Sequence, residues 1–427
     1  MQYHRLTSAD LRALASGLGG PMVVRKLDNS RLSRHLLLLR SLAARWEGAG
    51  ISNHEAVAVL AHVQEHRPEV FAEMLGDPLT GAWLAQSARR LRRSRTIEVR
   101  DAFQLGGIAA VAAMRLGLDC TVAGHSKRGR LSLPGLGEAV LTQDSDEQVA
   151  ISVSGGKAMV AGSSDAVVVP EDGRRWRGLQ RLSAGCGEQN CTIRIEDSSP
   201  YRSAYHAPAA SWLSALEVDR WRALFADAWN LIVHYIPDRV LELASGVKAL
   251  VPLVDEGDGS ARSGTARDSV GAVGLTRPHT ADDLAVTLIH EYQHSKLSAV
   301  LDLVPLYGSE SSERHFAPWR TDSRPTSGLL QGVYAFLGVA DAWRGLRTAP
   351  ELEARATRQF AIVRTQVQAG LEVLETSMEL TEEGRRFVGG IRITLDGFLD
   401  EPVPAALVKE AESALRLTRT AWLQRQS

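Results

Sequence analysis

Apolar positions recur at helical spacing through most of this chain and give way to short alternating runs only in its middle. Between Leu284 and Val304, Leu284, Leu288, Leu297, Val300 and Leu301 fall at near-helical intervals and predict a helix. The first quarter predicts helices as well. Thr7 to Asp10 resembles an N-cap ahead of a segment that stops at Gly17. Arg31–Trp46 reads as a strong amphipathic helix, and Asn53 is placed to cap the next one, through Val63 and beyond. From about Leu118 to Ile195 the segments AVLTQ, VAISVSG, KAMVAGS and DAVVVPE are short, β-branched and divided by Gly, Ser and Asp, which predicts strands and turns. Helical spacing returns after Ala209, with Trp212, Trp221, Phe225 and Trp229 on one core face. Asp255–Asp268 is rich in Gly and Ser and reads as a loop. Ser269–Thr276 reads as a strand leading through Pro278 into the helix at Leu284, and as a sheet edge that would align an extended peptide. The expected class is α+β: a helical N-terminal region over residues 1–117, a β-rich middle segment over 118–208 and a second helical half over 209–427.

At 427 residues the chain is long enough for two or three domains, or for one large enzyme with subdomains. A net charge of −1 gives no overall field towards nucleic acid or an anionic membrane. Met1 to Arg5 leads into a polar amphipathic segment rather than the apolar core of a signal peptide, and no apolar run reaches spanning length. A soluble cytoplasmic protein is therefore expected. Three cysteines, Cys120, Cys186 and Cys191, do not make a disulfide framework; Cys186 and Cys191 read as reduced thiols beside a tight turn. The cluster Arg89–Arg95 reads as a solvated helix end, and His62 with His66 as a solvated helix face.

The chemistry enters at His290-Glu291-Tyr292-Gln293-His294, an HExxH run inside the apolar helix. Residues four apart share a helix face, so His290 and His294 can present two imidazoles to one metal ion. Glu291 is displaced around the helix within reach of the same ion. The pattern suits a zinc peptidase with Glu291 as general base, and equally an Fe(II) site, since imidazole serves both metals. It makes the half over 209–427 a zincin-like, metal-binding catalytic region. Two histidines do not complete a site. Downstream candidates for a third ligand are Glu310, Glu313, His315, Asp322 and Gln331. Gln331 reads either as a weak ligand or as a hydrogen-bond partner to one. Arg320 and Arg324, framed by Pro318 and Pro325, suit bidentate binding of a carboxylate or, alternatively, an ion pair with Asp322.

The runs HEYQHSKLSAVLDLVPLY, APWRTDSRP and GLLQGVYAFLGVADAW together resemble the signature of the HExxH-motif domain family, the α-ketoglutarate-dependent peptide β-hydroxylases of peptide natural-product maturation. The likeness extends to SGTARDSVGAVGLT, IEDSSPYRSAYH, HRLTSADLRALASG and LSRHLLLLRSL, and so covers most of the chain. Ser323 departs from it, standing where a proline would complete a DPRP run; this loosens the loop and leaves both arginines in place. The resemblance implies a non-haem Fe(II) enzyme that uses α-ketoglutarate and O₂ to hydroxylate a β-carbon in a ribosomally made precursor peptide. It implies His290 and His294 as iron ligands, Arg320 or Arg324 on the α-ketoglutarate carboxylate, and Glu291 as a ligand or an orienting group. The alternatives are a zinc metallopeptidase and a catalytically silent peptide-binding scaffold with a vestigial metal site.

Overall fold

The structure, a computed structural model, describes residues 4–94, 97–170, 173–185, 187–205, 207–308 and 313–425. Six helices come first: α1 (Ser8–Ala15), α2 (Gly20–Gly48), α3 (His54–His66), α4 (Pro68–Gly76), α5 (Pro78–Ser94) and α6 (Val99–Leu116). Nine strands follow: β1 (Cys120–Ser126), β2 (Arg130–Leu133), β3 (Gly137–Val140), β4 (Glu147–Ser154), β5 (Lys157–Ala161), β6 (Ala166–Val169), β7 (Trp176–Gly178), β8 (Arg181–Ala184) and β9 (Cys191–Ile195). Then come α7 (Ala215–Tyr235), α8 (Val240–Gly246), β10 (Ala249–Pro252), β11 (Ser263–Gly264) and β12 (Ala272–Leu275). The chain ends in helices α9 (Ala281–Leu301), α10 (Thr326–Leu346), α11 (Glu353–Thr376), α12 (Glu382–Asp400) and α13 (Ala405–Gln424). The mixed class and the helical N-terminus match the sequence-based expectation. No described helix is long and apolar enough to cross a membrane.

Two large cores organise these elements. The first joins α1, the start of α2, β8 to β10, β12 and α7 to α12, with Leu14, Phe225, Leu250, Leu288, Leu330 and Phe360 fully buried in it. The second joins the far end of α2 with α3 to α6 and the antiparallel sheet β1-β4-β5-β6. Helix α2 spans both, because its 29 residues reach roughly 44 Å at 1.5 Å per residue. Val23 and Leu27 sit in the first core, Leu42 and Trp46 in the second. Strands β8 and β9 leave the β-rich middle of the chain and join β10, so the five-stranded sheet runs β11-β12-β10-β9-β8.

Several local expectations are revised. Thr7 does cap α1, through a reciprocal capping box with Asp10. Asn53 stands at the cap position of α3, but its side chain makes no capping bond. The α2 helix begins eleven residues before Arg31, at Gly20, with Pro21 in its first turn, where a missing N–H costs nothing. Trp221, Phe225 and Trp229 are buried together, whereas the Trp212 indole turns away to donate to Glu138. The basic run is not merely solvated: Arg89 pairs with Asp268 and Arg90 with the buried Asp101, while Arg95 lies outside the described residues. Cys191 is buried and free, and Cys186 lies outside the described residues.

His35 fixes α2 against two neighbouring helices. Its Nδ1 lies 2.7 Å from the Leu75 carbonyl of α4, and its ring lies on Gly81 of α5, where a Cβ would approach within 2.7 Å. Burial pushes the imidazole down to about 4, the Leu75 carbonyl opposing this in part. Between that value and the ordinary imidazole value of about 6.5, the unfolded chain binds a proton that the folded chain refuses. Stability contributed by neutral His35 is therefore present above pH 6.5 and lost as pH falls towards 4. Urea unfolding should show the wild type losing about 2–3 kcal/mol more than His35→Gln between pH 7 and pH 4.5. Parallel losses in the two proteins would refute it.

Candidate metal centre and carboxylate pocket

Helix α9 carries the HExxH run through the middle of the first core. Thr280 caps its N-terminus by accepting from the Asp283 amide, and Asp282 and Asp283 in the first turn suit the positive end of the helix dipole. Nearly every later side chain is buried, so the helix is enclosed rather than amphipathic. Glycines let the neighbours close in. A Cβ on Gly246 would stand 2.1 Å from the Tyr292 hydroxyl, and one on Gly338 of α10 would stand 2.6 Å from Gln293. The two middle residues of the motif are thus packed against α8 and α10, which leaves His290 and His294 turned towards a pocket of about 470 Å³.

Their Nε2 atoms face each other at 3.2 Å. Two nitrogens each about 2.1 Å from one ion and subtending about 100° lie roughly this far apart. His294 Nδ1 lies 2.9 Å from Gln331 Oε1 on α10. An amide oxygen there calls for the proton on Nδ1, which leaves the Nε2 lone pair of His294 free for a metal. The His290 ring meets Phe336 edge-on at 5.1 Å, and Phe336 stacks on Trp319 at 4.7 Å. Trp319 can lie there because position 332 is glycine; a Cβ would stand 2.0 Å from the indole. Burial, helped by the neighbouring His294, pushes His290 down to about 3, so it is neutral and ready to ligate at any ordinary pH.

Glu291 is buried and held from both sides. Its Oε1 accepts from Ser263 Oγ at 2.7 Å, its Oε2 accepts from Thr265 Oγ1 at 2.5 Å, and Oε1 is 4.0 Å from His290 Nε2. Ser263 lies on β11, within a segment expected to be irregular throughout. That strand also corrects the expected sheet edge. Ser269–Thr276 does contain a strand, β12, but β12 lies between β10 and β11, so the edge belongs to the two-residue β11. Ser263 and Thr265 lie in a Gly- and Ser-rich stretch whose sequence gives no sign of their contact with Glu291.

The candidates for a third ligand separate in space. Gln331 reaches the site, but as the partner of His294 Nδ1 rather than on the Nε2 side. Glu313 and His315 belong to another cluster, with Glu379. Asp322 pairs with arginines, and Glu310 lies outside the described residues. Among the described residues, no third His, Cys, Asp or Glu brings a ligand atom within 4.8 Å of both histidines. The two imidazoles fit an ion; the remaining positions around it face the pocket.

Arg320 and Arg324 both line that pocket, together with Arg267, Tyr307 and Trp319. Arg320 donates through Nε to Asp322 at 2.5 Å, and Arg324 approaches the same carboxylate at 3.6 Å. The ion pair weighed from the sequence is therefore present. It engages Nε of Arg320, and among the described residues the terminal nitrogens of Arg320 make no hydrogen bond. Arg267 was missed because it stands alone in the sequence, far from the proline-framed loop. No family model matches this chain, and no curated protein matches it.

Proposed function

We propose that this protein is a non-haem Fe(II) enzyme that uses α-ketoglutarate and O₂ to hydroxylate a β-carbon in a ribosomally made precursor peptide. The observation that carries the proposal is the facing pair of imidazoles at 3.2 Å in a pocket whose wall holds three arginines. His290 and His294 would hold the iron, which supplies the redox chemistry that activates O₂. The balanced outcome is a C–H bond converted to C–OH, with α-ketoglutarate giving succinate and CO₂. In this role the chain's own residues bind, orient and exclude water. Gln331 fixes the His294 ring, Arg320 or Arg324 receives the far carboxylate of α-ketoglutarate, and Trp319 with Phe336 walls the pocket beside His290. Zincin-like geometry would set the peptide along the β11 edge, where unpaired backbone groups suit an extended strand. A cytoplasmic location accords with such a substrate.

The zinc peptidase is the second reading, favoured by the HExxH spacing itself. As a general base Glu291 would use a remaining lone pair, since each of its oxygens accepts one hydroxyl, from Ser263 and from Thr265, and keeps a second. Radical hydroxylation needs no such base. The test is succinate formation from α-ketoglutarate by the Fe(II)-loaded protein. Turnover dependent on Fe(II), O₂ and peptide is expected, and succinate at the level of metal-free protein would refute the proposal.

Arg320→Lys and Arg324→Lys refine the assignment. Losing a charge-assisted bidentate pair costs about 1.5–3 kcal/mol, roughly a ten- to hundredfold rise in the apparent KM for α-ketoglutarate. One of the two variants should show that rise with little change in the KM for peptide. Unchanged α-ketoglutarate affinity in both would confine the arginines to bracing Asp322.

A further inference from the structure

A second group of ligating side chains lies outside the histidine pocket. Glu313, His315 and Glu379 bring one ligand atom each to within 4.8 Å of one another. His315 Nε2 stands 3.3 Å from Glu313 Oε2 and 2.9 Å from Thr326 Oγ1. Thr326 is fully buried and donates its hydroxyl proton to Glu379. Ser377 Oγ adds a bond of 3.1 Å to Glu313 Oε2. Thr326 spends its proton on Glu379, so it can only accept from His315. A single Nε2–H then faces two oxygen acceptors, Thr326 and Glu313, between two carboxylates that repel one another. An ion in place of that proton would answer all of these groups together. The donor set, one imidazole nitrogen and two carboxylates, is one that zinc accepts, with water as a fourth ligand.

The surroundings give the ion a task. His315 pairs as an isolated β-bridge with Arg324, and the Arg324 and His315 amides each donate to the other's carbonyl. Tyr307 forms a second bridge with Leu380, beside Glu379. Arg324 and Tyr307 both line the histidine pocket. We propose that Glu313, His315 and Glu379 bind a divalent cation, Zn(II) by their chemistry, which clamps the segments bearing Arg324 and Tyr307 and so fixes one wall of the pocket. This second site is independent of the metal and the reaction assigned to the pocket.

The test separates the two sites. The His290→Ala/His294→Ala double variant, stripped by chelation and titrated with Zn(II), should bind one equivalent and rise a few degrees in melting temperature. Adding Glu379→Gln should abolish both effects. The wild type should take up two equivalents of Zn(II) and the single Glu379→Gln variant one, a comparison that stands even if the double variant does not fold. No binding by a folded double variant, or equal stoichiometry with and without Glu379→Gln, would overturn the proposal and leave His315 as a hydrogen-bonding brace alone. Either failure leaves Fe(II)-dependent turnover at the first site untouched, so the two claims fall separately.

Discussion

Replacing His290 or His294 with alanine is expected to remove one equivalent of metal from the protein and to reduce α-ketoglutarate turnover to background. Each imidazole would supply one of the two nitrogen ligands, and among the described residues no third His, Cys, Asp or Glu brings a ligand atom within 4.8 Å of both. The fold should survive. The apolar side chains that bury α9, Leu284, Leu288, Leu297 and Val300, are unaffected, and the two rings lie at a pocket wall rather than within the core. Folding here does not depend on the ion as it does in a zinc finger. Urea unfolding of the metal-free variants should stay within about 1 kcal/mol of the metal-free wild type. Metal analysis decides the matter: unchanged stoichiometry in either single variant would mean that the pair does not share an ion.

The largest expected loss of stability lies two residues beyond His294 on the same helix. Lys296 is buried, donates to the carbonyls of Gly17 at 2.8 Å and Leu18 at 2.6 Å, and pairs with the buried Glu242. Beside it Arg239 binds Asp341 at 2.9 Å and reaches Gln293 of the motif at 3.3 Å. This network ties the turn between α1 and α2 to the back of α9. Lys296→Met keeps the volume and removes the charge. It strands the Glu242 carboxylate and two carbonyls in the core, and such an orphaned buried charge costs about 3–5 kcal/mol. Removing the partner as well, in Lys296→Met/Glu242→Leu, should recover a large part of that loss, because a buried ion pair is worth far less than the penalty for breaking it. The midpoint of urea unfolding reads both effects. A single variant as stable as the wild type would show that water already reaches this network.

The pattern of the chain carried much of this. Helix α9 was legible because both its apolar spacing and its two histidines follow the same period, and α1 because Thr7 and Asp10 form a capping box within four residues. What could not be read was set by partners distant in sequence. The edge strand β11 has only two residues, too few to show alternation, and exists because β12 pairs with it. The hold on Glu291 comes from hydroxyls 26 and 28 residues upstream. The sequence leaves Gln331 two roles, and its contact with His294 Nδ1 favours the orienting one. The sheet strands β8 and β9 read as part of the middle segment because only their spatial neighbour β10 assigns them elsewhere. Lys296 gave no signal, since a lysine on an apolar helix looks like a solvated position until its carbonyl partners are known.

The central claim is that the histidine pair supports oxygenation rather than hydrolysis. It is tested most directly by the mass of a precursor peptide encoded near the gene, after incubation with the Fe(II)-loaded protein, α-ketoglutarate and O₂. The account predicts an intact peptide carrying one added oxygen atom, labelled when ¹⁸O₂ is supplied and absent under argon. Two peptide fragments, formed equally well without O₂ and with Zn(II) in place of Fe(II), would contradict it and make Glu291 the base of a peptidase.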